Sequence, residues 1–145
     1  MTTIYFVQTT AAEQKEFLCR WVDRFFSERK RVRILVDSMA AAQLIDRLLW
    51  TFSQQSFIPH AIFNPQAAEQ SDEPVMITPG RFRAAPFDAL VCDCETEPEY
   101  MSQFDTAVHF ILDDEVERKN QSRLLWRKAR DLGLDTIHVP YEKKG

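Results

Sequence analysis

Short runs of β-branched and aromatic residues alternate with amphipathic stretches along the first fifty residues, and few architectures accept that alternation. Thr3–Gln8 (TIYFVQ) and Val32–Val36 (VRILV) read as strands. Between them, over Ala11–Arg29, Phe17, Leu18, Trp21, Val22, Phe25 and Phe26 recur with the spacing of one apolar helix face. Asp37 and Ser38 offer an N-cap, and Ala41, Leu44, Ile45, Leu48 and Leu49 mark a second helix behind them. Strand, helix, strand, helix predicts a largely parallel sheet with helices on its faces. Further strands are expected at His60–Phe63, Val75–Thr78, Ala89–Val91, Ala107–Leu112 and Thr136–Val139. A helix is expected from Asp113 or Asp114 to Leu132, stopped by Gly133. Asn64–Pro74 reads as a loop and Gly80–Pro86 as a turn region. With 145 residues, 45% of them hydrophobic, the chain can bury one core. The expected fold is one α/β domain over residues 1–145: three-layer, a mostly parallel open sheet with flanking helices, Rossmann-like but without a nucleotide-binding loop.

That last clause follows from glycine. The chain has three, Gly80, Gly133 and Gly145, so neither GxGxxG nor GxxxxGK[ST] can be written in it. The turn after the first strand is Gln8-Thr9-Thr10-Ala11, whose side chains would crowd a pyrophosphate approaching the backbone. No nucleotide cofactor is expected.

Other catalytic readings are weak. Asp37, Asp93 and Asp113 fall at strand ends, and Asp37 with Asp93 could hold Mg²⁺ for phosphoryl transfer. The plainer reading makes Asp37 and Asp113 helix caps and Asp93 the start of an acidic loop with Glu95, Glu97 and Glu99. His60, His109 and His138 are scattered without HxxxH or HExxH spacing, and Cys19, Cys92 and Cys94 match neither CxxC nor zinc-finger spacing, so they read as structural histidines and buried free thiols. No catalytic residue and no metal site is expected. The first residues lack the features of a signal peptide and no run spans a bilayer, which points to a cytoplasmic protein without membrane contact.

The informative element is the stretch Asp113–Leu132. Acids open it and bases fill the rest, which stabilises a helix through its macrodipole. The dipole does not explain the angular sorting. At about 100° per residue, Lys119, Arg123, Trp126, Arg127 and Arg130 fall within one arc, while Leu125, Ala129 and Leu132 project oppositely, toward the expected sheet. Trp126 is therefore expected to stand among the bases, away from the core, as in a site for an acidic peptide or a nucleotide base. Trp50 likewise projects off the stripe Leu44, Ile45, Leu48, Leu49, and Phe57 follows in an irregular segment. Two aromatic outliers, one with charge and one without, suggest two partner surfaces. Direct single-stranded nucleic-acid binding is the competing class, and the net charge of −4 opposes it.

Over most of its length the sequence resembles the chi subunit family of bacterial DNA polymerase III. The resemblance is carried by Ile4-Tyr5-Phe6, by Arg33-Ile34-Leu35-Val36 with the Ala- and Leu-rich helix after it, and by Leu49-Trp50 through Ser56-Phe57-Ile58-Pro59-His60. The basic helix ending Ala129–Gly133 adds to it. The resemblance implies a non-catalytic adaptor of the replication clamp loader. Such an adaptor bridges the psi subunit and the acidic C-terminal tail of single-stranded-DNA-binding protein, which ends in Pro-Phe, so that contact with DNA is indirect. It implies tail recognition by Lys119, Arg123, Trp126 and Arg127, and a psi contact through Trp50 and Phe57, where a helicase-like partner is the alternative. Trp126 stands where the family commonly has Tyr and Arg127 where it has Lys; Arg adds a bidentate fork for a carboxylate. The loop Gln66–Glu73 and the terminal Tyr141–Gly145 depart from the family pattern and imply nothing.

Overall fold

The computed structural model describes residues 1–52, 57–66, 72–82 and 87–141. Its elements in chain order are β1 (Thr3–Thr9), α1 (Gln14–Ser27), β2 (Val32–Leu35), α2 (Met39–Thr51), β3 (His60–Ile62), β4 (Val75–Thr78), β5 (Ala89–Cys92), α3 (Pro98–Met101), β6 (Thr106–Leu112), α4 (Val116–Asp131) and β7 (Asp135–Val139). The strands form one sheet in the order β3-β4-β2-β5-β6-β1-β7, and every neighbouring pair is parallel. Every residue of β2, β4 and β5 is buried, as expected where helices cover both faces of a parallel sheet. One face packs Phe17, Leu18, Trp21, Val22 and Phe25 of α1 and Ala42, Ile45 and Leu49 of α2 against the sheet. The other packs Tyr100 and Met101 of α3 and Leu125 and Ala129 of α4 on Ile4, Phe6, Leu35 and Leu90. This is the three-layer α/β fold the alternation predicts.

The termini of the helices are built differently from the simplest expectation. At α2 it is Ser38, not Asp37, that caps, its hydroxyl accepting from the Ala41 N–H at 3.1 Å. Asp113 and Asp114 do not start α4. Asp113 accepts from the Gln8 amide and Asp114 from the Ala11 N–H at 3.0 Å, tying the loops after β1 and β6 together, and the helix begins three residues after Asp113. Helices α1 and α4 each end in a Schellman motif. After α4, Gly133 takes φ +79° while its N–H and that of Leu134 donate back to Arg130 and Ala129. After α1 the same left-handed position is held by Arg29, φ +64°, with Arg29 and Lys30 donating to Phe26 and Phe25.

Four further expectations are corrected. Leu44 is 38% exposed and Leu132 is 52% exposed, so neither belongs to the core. Cys94 is only half-buried, unlike Cys19 and Cys92. The acidic loop contains a helical turn, α3, started by Pro98 at its first position. Arg33, read as part of an apolar strand, is buried at the sheet centre, donating to the Phe82 carbonyl at 2.7 Å and lying over the Phe87 ring. Parts of the loops expected at Asn64–Pro74 and Gly80–Pro86, Ser56, and residues 142–145 lie outside the described residues. Among the described residues no helix is long and apolar enough to cross a membrane.

Candidate functional site

Helix α4 is seated by three side chains one turn apart. Leu125 and Ala129 bury against the sheet, and Ser122, also buried, accepts from His109 Nε2 on β6 at 2.7 Å while donating to the Arg118 carbonyl. Burial, and secondarily the Arg118 charge, push the His109 imidazole down to about 4. It is neutral at physiological pH, with its proton on Nε2 where Ser122 accepts it.

With the helix so fixed, Lys119, Arg123, Trp126, Arg127 and Arg130 line one side of a single groove of about 780 Å³. The sheet forms the other side, through Phe6 and Gln8 of β1, Ile111 of β6 and His138 of β7. Trp126 does not stand clear of the core as its helical position suggested. Its indole reaches back across the flank of α4 and meets Phe6 edge-on, ring centroids 4.8 Å apart and planes at 67°. The tryptophan is therefore a half-buried, held floor to the groove rather than a solvated side chain, which lowers the entropy lost when a ligand packs on it.

The groove is electropositive. Four bases line it against one carboxylate, Asp131. Lys119 stands 3.8 Å from Asp113. Asp113 also accepts from Gln8, whose carbonyl oxygen in turn lies 2.7 Å from His138 Nε2. Among the described residues Arg123, Arg127 and Arg130 enter no ion pair, so their charge is available to a ligand. A second groove, about 500 Å³, lies on the opposite flank of α4 between Arg81, Glu97, Arg118 and Lys128. Its charges answer one another: Arg81 bonds Glu97 at 2.8 Å and Arg118 faces Glu95 at 3.8 Å. The first groove is the one able to attract an anion.

Of the two carboxylates considered for Mg²⁺, Asp37 is exposed and lines a shared pocket with Asp93, and Asp93 is already engaged. The Asp93 side chain is only 6% exposed and is paired with Lys15 at 2.6 Å, with a further bond from Gln14. Glu95 and Glu97 face arginines, and among the described residues no group of three or more His, Cys, Asp or Glu side chains could hold a metal.

Trp50 and Phe57 come together on the far side of the molecule. They are 54% and 64% exposed, with ring centroids 5.4 Å apart, and Trp50 also packs, tilted by 55°, at 4.7 Å against the buried His60 of β3. His60 is locked by the Ile58 carbonyl and by Asp46 of α2, so the aromatic pair rests on a rigid support. The pair sits on the α1/α2 face beside the β3 edge, whereas the basic groove lies on the α4 face beside the β7 edge.

Fold and site together define a Rossmann-like parallel α/β fold whose sequence lacks the glycine-rich phosphate loop and which presents a basic, aromatic-floored groove. The family model "DNA polymerase III chi subunit, HolC" matches residues 1–136. The chain belongs to the chi subunit family, and so to the accessory subunits of DNA polymerase III that serve DNA replication. No curated protein matches it by sequence. Among solved structures it is similar to "Mss116p DEAD-box helicase domain 2 bound to an RNA duplex", with TM-score 0.64 and 11% identity over 99% of this chain and 64% of that one. It is similar also to T4 UvsW, with TM-score 0.65 and 6% identity over 97% of this chain and 41% of that one. The chain thus spans less than two thirds of either, and at these identities the likeness shows the fold alone.

Proposed function

We propose that the protein is a non-catalytic adaptor of the clamp-loader assembly. Its basic groove takes the acidic C-terminal tail of single-stranded-DNA-binding protein, and its Trp50–Phe57 surface takes the psi subunit. The convergence of Lys119, Arg123, Trp126, Arg127 and Arg130 on one groove carries this reading. An acidic tail is steered to the groove by its field, the terminal carboxylate pairs with Arg123 or Arg127, and the last Phe packs on the Trp126 indole. A site this open gives affinity of about micromolar order, falling with salt.

The test is a titration of the protein with an acidic peptide ending in Pro-Phe and, at the same salt, with a single-stranded oligonucleotide. The peptide is expected to bind and the oligonucleotide not, and Arg123→Ala is expected to abolish peptide binding while leaving the unfolding transition in place. Unchanged peptide affinity in that variant overturns the assignment. Binding of the oligonucleotide alone would instead make the groove a nucleic-acid site.

A further inference from the structure

We infer that the outer edge of β7 receives the extended acidic stretch upstream of the partner's last residues as an added strand, held from both faces of the sheet by arginines. This rests on the tail reading above and extends it from the end of the tail to its body.

β7 ends the sheet, with β1 as its strand partner among the described residues. The ladder fixes which of its backbone groups face outward. The Asp135 N–H donates to the Thr2 carbonyl, and with Thr3 opposite Asp135 the alternation of a parallel pair turns Asp135, Ile137 and Val139 toward β1. Thr136 and His138 therefore direct their N–H and C=O groups away from the sheet, the template that an extended peptide uses to join an edge.

The surroundings match an acidic occupant in charge and in length. On the α4 face, the basic groove includes His138 itself, next to Arg123, Arg127 and Arg130. On the α1 face, the same edge borders a smaller groove of about 280 Å³ in which Arg20 and Arg24 flank Trp21 beside Val139 and Pro140. Arg24 lies over the Trp21 ring at 4.8 Å, and its contact with Glu28, like that of Arg20 with Glu16, is a long, exposed pair of 3.7–3.8 Å that a ligand carboxylate can replace. Successive side chains of an added strand point to alternate faces, so consecutive acids would meet arginines on both. The arc from Lys119 to Arg130 runs about 16 Å along α4, and the five residues of β7 span about the same at roughly 3.3 Å each. A five-residue acidic segment fits both at once.

The experiment uses a peptide of five acidic residues followed by Pro-Phe and a series in which one acidic-segment amide at a time is N-methylated. Affinities are read by fluorescence anisotropy on the intact protein. Methylation of alternate amides is expected to weaken binding tenfold or more, with the intervening amides indifferent. Thr136→Pro is expected to reproduce the loss, since its N–H faces outward and proline is tolerated there on an edge strand. Arg20→Ala with Arg24→Ala is expected to weaken binding severalfold. A flat methylation profile, with the parent peptide still bound and still lost in Arg123→Ala, overturns the edge pairing and leaves the tail reading standing. Failure of the parent peptide to bind at all removes both.

Discussion

Acidification should destabilise this protein through the buried His109, and the size of the effect can be worked from the site. His109 falls from an ordinary value of 6.5 to about 4 in the folded chain because its ring is buried and faces the Arg118 charge. Between these two values the unfolded chain binds the proton and the folded chain does not, so stability falls as pH drops from 6.5 toward 4 and is fully present above 6.5. At pH 5 the separation from the unfolded value is 1.5 units, about 2 kcal/mol at 1.36 kcal/mol per unit. That is a large fraction of a typical 5–15 kcal/mol total. Carboxylates contribute their own pH dependence, so the comparison is with His109→Gln, whose amide can still donate to Ser122 but does not titrate. Urea unfolding of both proteins at pH 7 and pH 5 should show the parent losing about 2 kcal/mol more than the variant. Equal losses would mean that His109 is charged, or solvated, in the folded state, and the account of how α4 is seated would fall with it.

Two other perturbations separate the parts of the molecule. Trp50→Ala with Phe57→Ala should change stability by less than about 1 kcal/mol, since both rings are largely exposed, yet abolish co-purification with the psi subunit; retention of psi would detach that surface from the proposed role. Lys15→Met should cost about 2 kcal/mol in chemical unfolding by leaving the Asp93 side chain with only Gln14, and a loss under 0.5 kcal/mol would show that the Lys15–Asp93 pair contributes little to stability.

The sheet was legible because parallel strands buried on both faces read as short apolar runs, as β4 and β5 do, although the edge strand β7, with no buried residue, is not such a run. Periodicity also placed α1 and the basic arc of α4, since those patterns are local. What stayed hidden depends on contacts distant in sequence. Asp113 and Asp114 look like caps in their own neighbourhood, but their partners Gln8 and Ala11 lie more than a hundred residues away. Helical position alone set Trp126 with the bases; only the register that brings Phe6 beneath α4 shows how far the indole folds back. Gln8, His138 and Phe6 carry no signature of the groove, because they come from the two strands at one edge and meet there only when β7 docks on β1. The burial of Arg33 was equally invisible, since its carbonyl and aromatic partners come from segments some fifty residues later.

The seven-stranded sheet also has a thermodynamic meaning. The groove and the aromatic pair occupy opposite faces at opposite edges, with six strand spacings, roughly 29 Å, between the outermost strands. Sites so far apart share no side chain, and their free energies are expected to add. Two ligands would each raise the melting temperature as if the other were absent, and neither would displace the other at any concentration. On the proposed reading the domain would act as a spacer, and any cooperativity of an assembly built on it would come from the tethering of its partners and the local concentration this creates.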